Sequence, residues 1–156
     1  IVVESRHGVG AFFSVYLPRI AEASIGGVDI RSNGDETVLL VEDEAIVRDV
    51  AAAILRDSGY RVLEASEGSE AIALVDERDA RGIQLLLTDL MMPRMSGADL
   101  ASQLRRQLPG IQVVYTSGYS DAVMAQVLAQ DPEAMSIQKP FTPSDLTKHV
   151  RMALGS

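Results

Sequence analysis

Four short stretches of the chain carry side chains capable of chemistry. They are Glu42-Asp43-Glu44, the lone Asp89 after Leu87-Thr88, the hydroxyl pair Thr116-Ser117 before Gly118, and Lys139 before Pro140. Carboxylates brought close together repel one another and favour a hard divalent cation. Mg²⁺ takes oxygen ligands, keeps several waters and often shares its site with a phosphate. A carboxylate beside such an ion can act as a nucleophile and become an aspartyl phosphate. A lysine can neutralise charge on the transferring oxygens, and a hydroxyl can hydrogen-bond one of them. Phosphoryl transfer is mostly positioning and charge neutralisation, so this small set suffices in principle.

Those stretches are far apart in sequence, and only a fold can gather them. From Thr37 onward, apolar runs alternate with helical patterns. Strands are expected at Thr37–Val41, Arg61–Ala65, Ile83–Thr88, Val113–Thr116 and Ser136–Gln138. A first helix spans Ala45–Ser58, with Ile46, Val50, Ala53 and Ile54 on one face and Gly59 as its stop. A second covers Gly68–Arg78, with Ala71, Leu74 and Val75 inward. The third, Gly97–Gln107, carries Leu100, Leu104 and Leu108 inward, and Ser96 with Asp99 forms an approximate capping box. A fourth spans Asp121–Ala129, with Val123 and Val127 on one side. Thr142 caps the last, with Pro143 at its first position and Asp145 in its first turn.

Strands that are apolar throughout, each followed by a helix, imply a parallel sheet covered on both faces. Right-handed crossovers make this an α/β, doubly wound five-stranded domain. Ligands in such folds bind at the carboxyl ends of the strands. All four chemical stretches sit at those ends.

The segments VEDEAIVRDV, LLLTDLMMPRMSGADL, TSGYSD and QKPFTPSDL together resemble the signature blocks of response-regulator receiver domains, in order and spacing. The resemblance implies the flavodoxin-like receiver fold. It places Glu42 and Asp43 at the acidic pair that holds Mg²⁺, and Asp89 at the phospho-acceptor position. Met91 would offer a backbone carbonyl to the metal. Ser117 takes the hydroxyl position, with Gly118 small beside it; a one-residue shift would exchange Ser117 for Thr116. Lys139 takes the lysine position, and the Lys139–Pro140 bond resembles one that is cis in the family. The family usually has Tyr or Phe three residues before the lysine, as a rotameric switch. Ser136 stands there, so an aromatic flip is not expected.

The segment His7–Pro18 resembles the closing strand of a histidine-kinase ATP-binding domain, with Ala11–Pro18 as its one strand. The resulting division is residues 1–18 as a kinase remnant, 19–36 as a Gly/Ser/Asn/Asp-rich linker and 37–156 as a receiver. That order is similar to a hybrid sensor histidine kinase with a C-terminal receiver. The chain starts at Ile1 rather than Met, as a piece of a longer protein would. By this resemblance the fragment phosphorylates itself without turning over substrate, and the parent chain is a kinase. Its partner would be a histidine kinase or a histidine phosphotransfer protein, in cis or in trans.

Composition narrows the alternatives. The 156 residues carry 14 basic and 22 acidic side chains, a net charge of −8. Such a chain without a basic block is poorly suited to direct nucleic-acid binding or to an anionic membrane. Cys is absent, which fits a reducing cytoplasm. No apolar run approaches the ~20 residues that span a bilayer. Met91 stands where an aspartyl-phosphate hydrolase of similar architecture would place a second Asp. The acidic loop after the first strand would repel the phosphate of a flavodoxin-type cofactor. A pseudo-receiver acting only through contacts would not need the acidic, lysine and hydroxyl positions. His7 and His149 lack the context of a phospho-donor, and Met91, Met92 and Met95 read as loop packing.

Overall fold

Leu85, Leu86 and Leu87 form the centre of a strand whose every side chain must be covered, since successive side chains face opposite sides of a sheet. All three are fully buried. In the computed structural model, which describes residues 2–6, 10–14, 36–77, 82–118 and 121–155, this strand is the middle of a five-stranded parallel sheet. The strands are β3 (Thr37–Val41), β4 (Arg61–Ala65), β5 (Ile83–Asp89), β6 (Gln112–Ser117) and β7 (Met135–Gln138). Their spatial order is β4-β3-β5-β6-β7, so the order reverses between β3 and β5. Before them, β1 (Val2–Arg6) and β2 (Gly10–Ser14) pair antiparallel, Val2 opposite Ser14.

Five helices cover the two faces: α1 (Ala45–Asp57), α2 (Gly68–Glu77), α3 (Gly97–Gln107), α4 (Asp121–Gln130) and α5 (Pro143–Leu154). On one face Val38, Leu40, Leu87 and Val114 pack with Ala52 and Leu55 of α1 and Leu146 and Val150 of α5. On the other, Leu39, Leu86, Val113 and Tyr115 pack with Val75 of α2, Leu104 of α3 and Met124 of α4. This is the doubly wound sheet the alternating pattern predicts.

The helix ends follow local chemistry. Thr142 and Asp145 form a full capping box at the start of α5. Ser96 accepts from the Asp99 amide at 3.1 Å, although the Asp99 carboxylate takes the Ser96 hydroxyl at 2.6 Å. After α1, Gly59 adopts φ +93. Tyr60 N then reaches Leu55 O and Gly59 N reaches Arg56 O, the paired bonds of a Schellman stop.

The inner faces of α2 and α3 are as expected, apart from a half-buried Leu74. The face of α1 is not. Ile46 is 75% exposed, Val50 53%, and Ala53 also lies in solvent. Ala51, Ala52 and Leu55 are buried instead. The helix is apolar over more than one stripe, so periodicity alone admits both orientations. The two small alanines let the backbone approach the sheet closely, and the bulkier Ile46–Val50 stripe is turned outward.

The expected lone strand at Ala11–Pro18 is β2, at Gly10–Ser14, and it has β1 as a partner that the sequence did not flag. Residues 15–18, Arg78, the side chain of Val123 and nearly all of the expected linker at 19–36 lie outside the described residues. Among the described residues, no helix is long and apolar enough to cross a membrane.

Candidate phospho-acceptor site

Parallel strands present all their carboxyl ends at one edge, and neighbouring strands there carry the chemical residues. Glu42 and Asp43 follow β3, Asp89 ends β5, Ser117 ends β6 and Lys139 follows β7. Backbone hydrogen bonds carry the ladder past the strand ends. Glu42 N donates to Ala65 O at 3.1 Å, Leu90 N to Thr116 O at 2.9 Å and Lys139 N to Ser117 O at 2.8 Å. The Lys139–Pro140 bond is cis, as the resemblance implies.

Glu42, Asp43 and Asp89 each offer a carboxylate oxygen, and these oxygens lie within 4.8 Å of one another. Lys139 reaches into the same cluster. Its Nζ is 2.6 Å from Glu42 Oε2 and 2.7 Å from Asp89 Oδ2. Three carboxylates against one ammonium leave negative charge uncompensated, the donor set a hard divalent cation needs. The Met91 amide donates to Asp89 Oδ1 at 2.9 Å, which orients the carboxylate.

Glu42 is buried, with 3% exposure. Burial raises its pKa; the hydrogen bond and charge of Lys139 oppose that rise, and the nearby Asp89 charge adds to it. For Lys139, burial alone would lower the pKa. Its hydrogen bonds to Asp89 and Glu42 outweigh this, so the ammonium is held above its ordinary value of 10.5 and stays charged. Thr116 and Ser117 are both buried, with Thr116 opposite Asp89 in the strand register and Ser117 one step further toward the rim. A side chain at Gly118 would meet open space, so the ground beside Ser117 is clear.

Three contributors were not legible as such. Arg48 Nη1 donates to the Glu42 carbonyl at 2.7 Å and fixes the start of the acidic loop. Gly97 lets α3 begin against Asp89; a Cβ there would stand 2.3 Å from the Asp89 carbonyl oxygen. Arg94 adopts φ +68, sparsely populated for a non-glycine residue, and its Nη1 pairs with Glu67 Oε2 at 2.5 Å. Glycine just after a helix-capping serine was the one available signal, for Gly97.

Known proteins resemble this chain in sequence and in fold. Over 99% of this chain, the sensor kinase CckA of Brucella abortus is 32% identical, with 18% of its own length covered. The sensory transduction protein RegX3 of Mycobacterium tuberculosis is 34% identical over 76% of this chain and 50% of its own. The crystal structure of the receiver domain from the hybrid histidine kinase CckA matches with TM-score 0.64 at 36% identity, covering 76% of this chain and 98% of that one. A receiver domain protein from Clostridium thermocellum matches with TM-score 0.69 at 27% identity, covering 77% and 94%. The chain thus spans half or less of the curated relatives' lengths. Residues 38–151 match the family described as the response regulator receiver domain, and with the fold and the acidic rim in place the chain belongs to that family of two-component signalling modules.

Proposed function

We propose that Asp89 accepts a phosphoryl group from a phosphohistidine. A carboxylate oxygen of Asp89 bonds to phosphorus as the phosphorus–nitrogen bond breaks, and the imidazole leaves with the electron pair. The observation that carries this reading is the convergence of Glu42, Asp43 and Asp89 oxygens within 4.8 Å, with Lys139 bonded to two of the three residues.

Each residue has a part. Glu42, Asp43, Asp89 and the Met91 backbone carbonyl are the groups that would hold Mg²⁺. The ion would supply charge neutralisation for the phosphoryl oxygens. Lys139, charged and already on Asp89, is placed to bind an oxygen of the incoming group. The Ser117 hydroxyl binds another, with the open ground at Gly118 leaving room. The buried Glu42, held by four hydrogen bonds, fixes its loop, and Met91 N keeps Asp89 aimed.

The relation to CckA extends over 99% of the chain, whereas the RegX3 match covers 76%. This supports residues 1–18 as the tail of a kinase ATP-binding domain, 19–36 as a linker and 37–156 as the receiver, within a cytoplasmic portion of a hybrid kinase. The donor is then a histidine of that parent or of a phosphotransfer partner.

The test is phosphorylation by a histidine kinase or phosphotransfer protein, followed by hydroxylamine. Wild-type protein should carry hydroxylamine-sensitive label, and Asp89→Asn should carry none. Label surviving in Asp89→Asn would move the acceptor elsewhere.

A further inference from the structure

Tyr115 lies in β6, two residues before Ser117, and its side chain is fully buried. Its hydroxyl donates to Asp131 Oδ2 at 3.0 Å. The other oxygen of Asp131 pairs with Arg105 Nη1 of α3 at 2.7 Å. Asp131 immediately follows α4, and its amide closes the last turn on Val127 O at 3.0 Å. One carboxylate therefore joins three elements: β6, α3 and the end of α4.

Both arms of this triad return to the acidic pocket. Along β6, Tyr115 is opposite Thr88 and its neighbour Thr116 is opposite Asp89. The strand then ends at Ser117, whose carbonyl receives the Lys139 amide. Along α3, Arg105 belongs to a helix whose first residue, Gly97, abuts the Asp89 carbonyl and bonds Leu90 O at 3.0 Å. A displacement of Asp89 or Ser117 thus acts on both ends of the same tie. On the neighbouring strand, Ser136 is opposite Tyr115, so the aromatic ring at this level of the sheet comes from β6. Burial and the Asp131 charge push the Tyr115 pKa up from its ordinary value of 10.0, further from neutrality, so its hydroxyl is protonated and donates.

We propose that the Tyr115–Asp131–Arg105 triad is the tie through which occupancy of the acidic pocket sets the position of the C-terminal end of α4. Tyr115 is a positioning residue, since it touches neither donor nor phosphoryl group. The inference rests on the proposed function of Asp89.

The experiment uses beryllofluoride with Mg²⁺, a mimic of an aspartyl phosphate, and follows backbone amide resonances of the full chain. In the wild type, pocket amides at Asp89 and Ser117 should shift, and so should amides from Leu128 to Ala134. In Tyr115→Phe, which deletes only the hydroxyl, the pocket shifts should persist while those from Leu128 to Ala134 fall to less than half. Arg105→Gln, at a half-buried position on α3, should give the same split and covers the case in which Tyr115→Phe folds poorly. Undiminished shifts from Leu128 to Ala134 in either folded variant would overturn the inference. So would a wild type whose pocket responds while that segment does not. A wild type with no pocket response would instead remove the phospho-acceptor reading itself.

Discussion

Gly97 and Asp89 meet so closely that a single methyl group between them would stand 2.3 Å from the Asp89 carbonyl oxygen. The clash is with backbone, which cannot rotate aside. Gly97→Ala should therefore destabilise the domain by roughly 1–3 kcal/mol, the range for overpacking. It should also weaken beryllofluoride binding, because the strand end carrying Asp89 must shift. Chemical denaturation and a binding titration would check both effects; wild-type values for both would show that α3 has room to retreat.

Lys139→Met should separate stability from metal binding. The ammonium occupies oxygens of Glu42 and Asp89 that a cation would also use. Its loss leaves the buried Glu42 carboxylate without a cationic partner, at a cost of roughly 2 kcal/mol. That is below the ~3–5 for a fully buried pair, because the Lys139 side chain keeps 19% exposure. Mg²⁺ affinity should hold or rise, while acyl-phosphate formation falls. Calorimetric Mg²⁺ titration beside a phosphotransfer assay reads the two, and a matching collapse of both would contradict the division of roles.

The two stripes of α1 should respond in opposite ways. Val50→Ser, on the exposed stripe, should alter stability by no more than about 0.5 kcal/mol. Leu55→Ala, at a fully buried position, should cost about 2–5 kcal/mol. Equal losses in urea unfolding would mean that α1 sits in the other orientation.

Acid should loosen the start of α5 through Asp145. Hydrogen bonds from the Thr142 side chain and backbone hold this carboxyl below its ordinary value of 3.8. Between the folded and unfolded values the folded state binds fewer protons, so ionisation favours folding. The contribution is complete above 3.8 and is lost as pH falls through the lower, folded value. Asp145→Asn should lower the melting temperature at neutral pH and converge on wild type in strong acid. A constant difference across that range would exclude this carboxyl as the source.

How much of this was legible depends on the kind of interaction. The strands were readable because Leu85, Leu86 and Leu87 need cover on both faces, and the site was readable because parallel strands send their carboxyl ends to one edge. The caps at Ser96 and Thr142 were readable because they are local. The orientation of α1 was not, since Ala51 and Ala52 are weakly apolar and their value lies in how closely they let two backbones approach. Arg48, Gly97 and the Tyr115–Asp131–Arg105 triad were hidden for a related reason. Each acts across a loop or on another element, where no spacing rule connects the partners. The pairing of β1 with β2 was missed because a short segment such as Val2–Arg6 carries little pattern of its own.

The order of the strands has a further consequence. Asp89 ends the middle strand of five, and Glu42 and Asp43 follow an inner neighbour, whereas Lys139 follows the four-residue edge strand β7. Edge segments open first in partial unfolding, and central strands open last. A chain frayed along β7 would lose its lysine and keep its three carboxylates aligned. Amide protection should accordingly fade at Ile137 well before Leu87, so that under mild denaturant the module passes through a form able to gather cations but unable to neutralise an incoming anion.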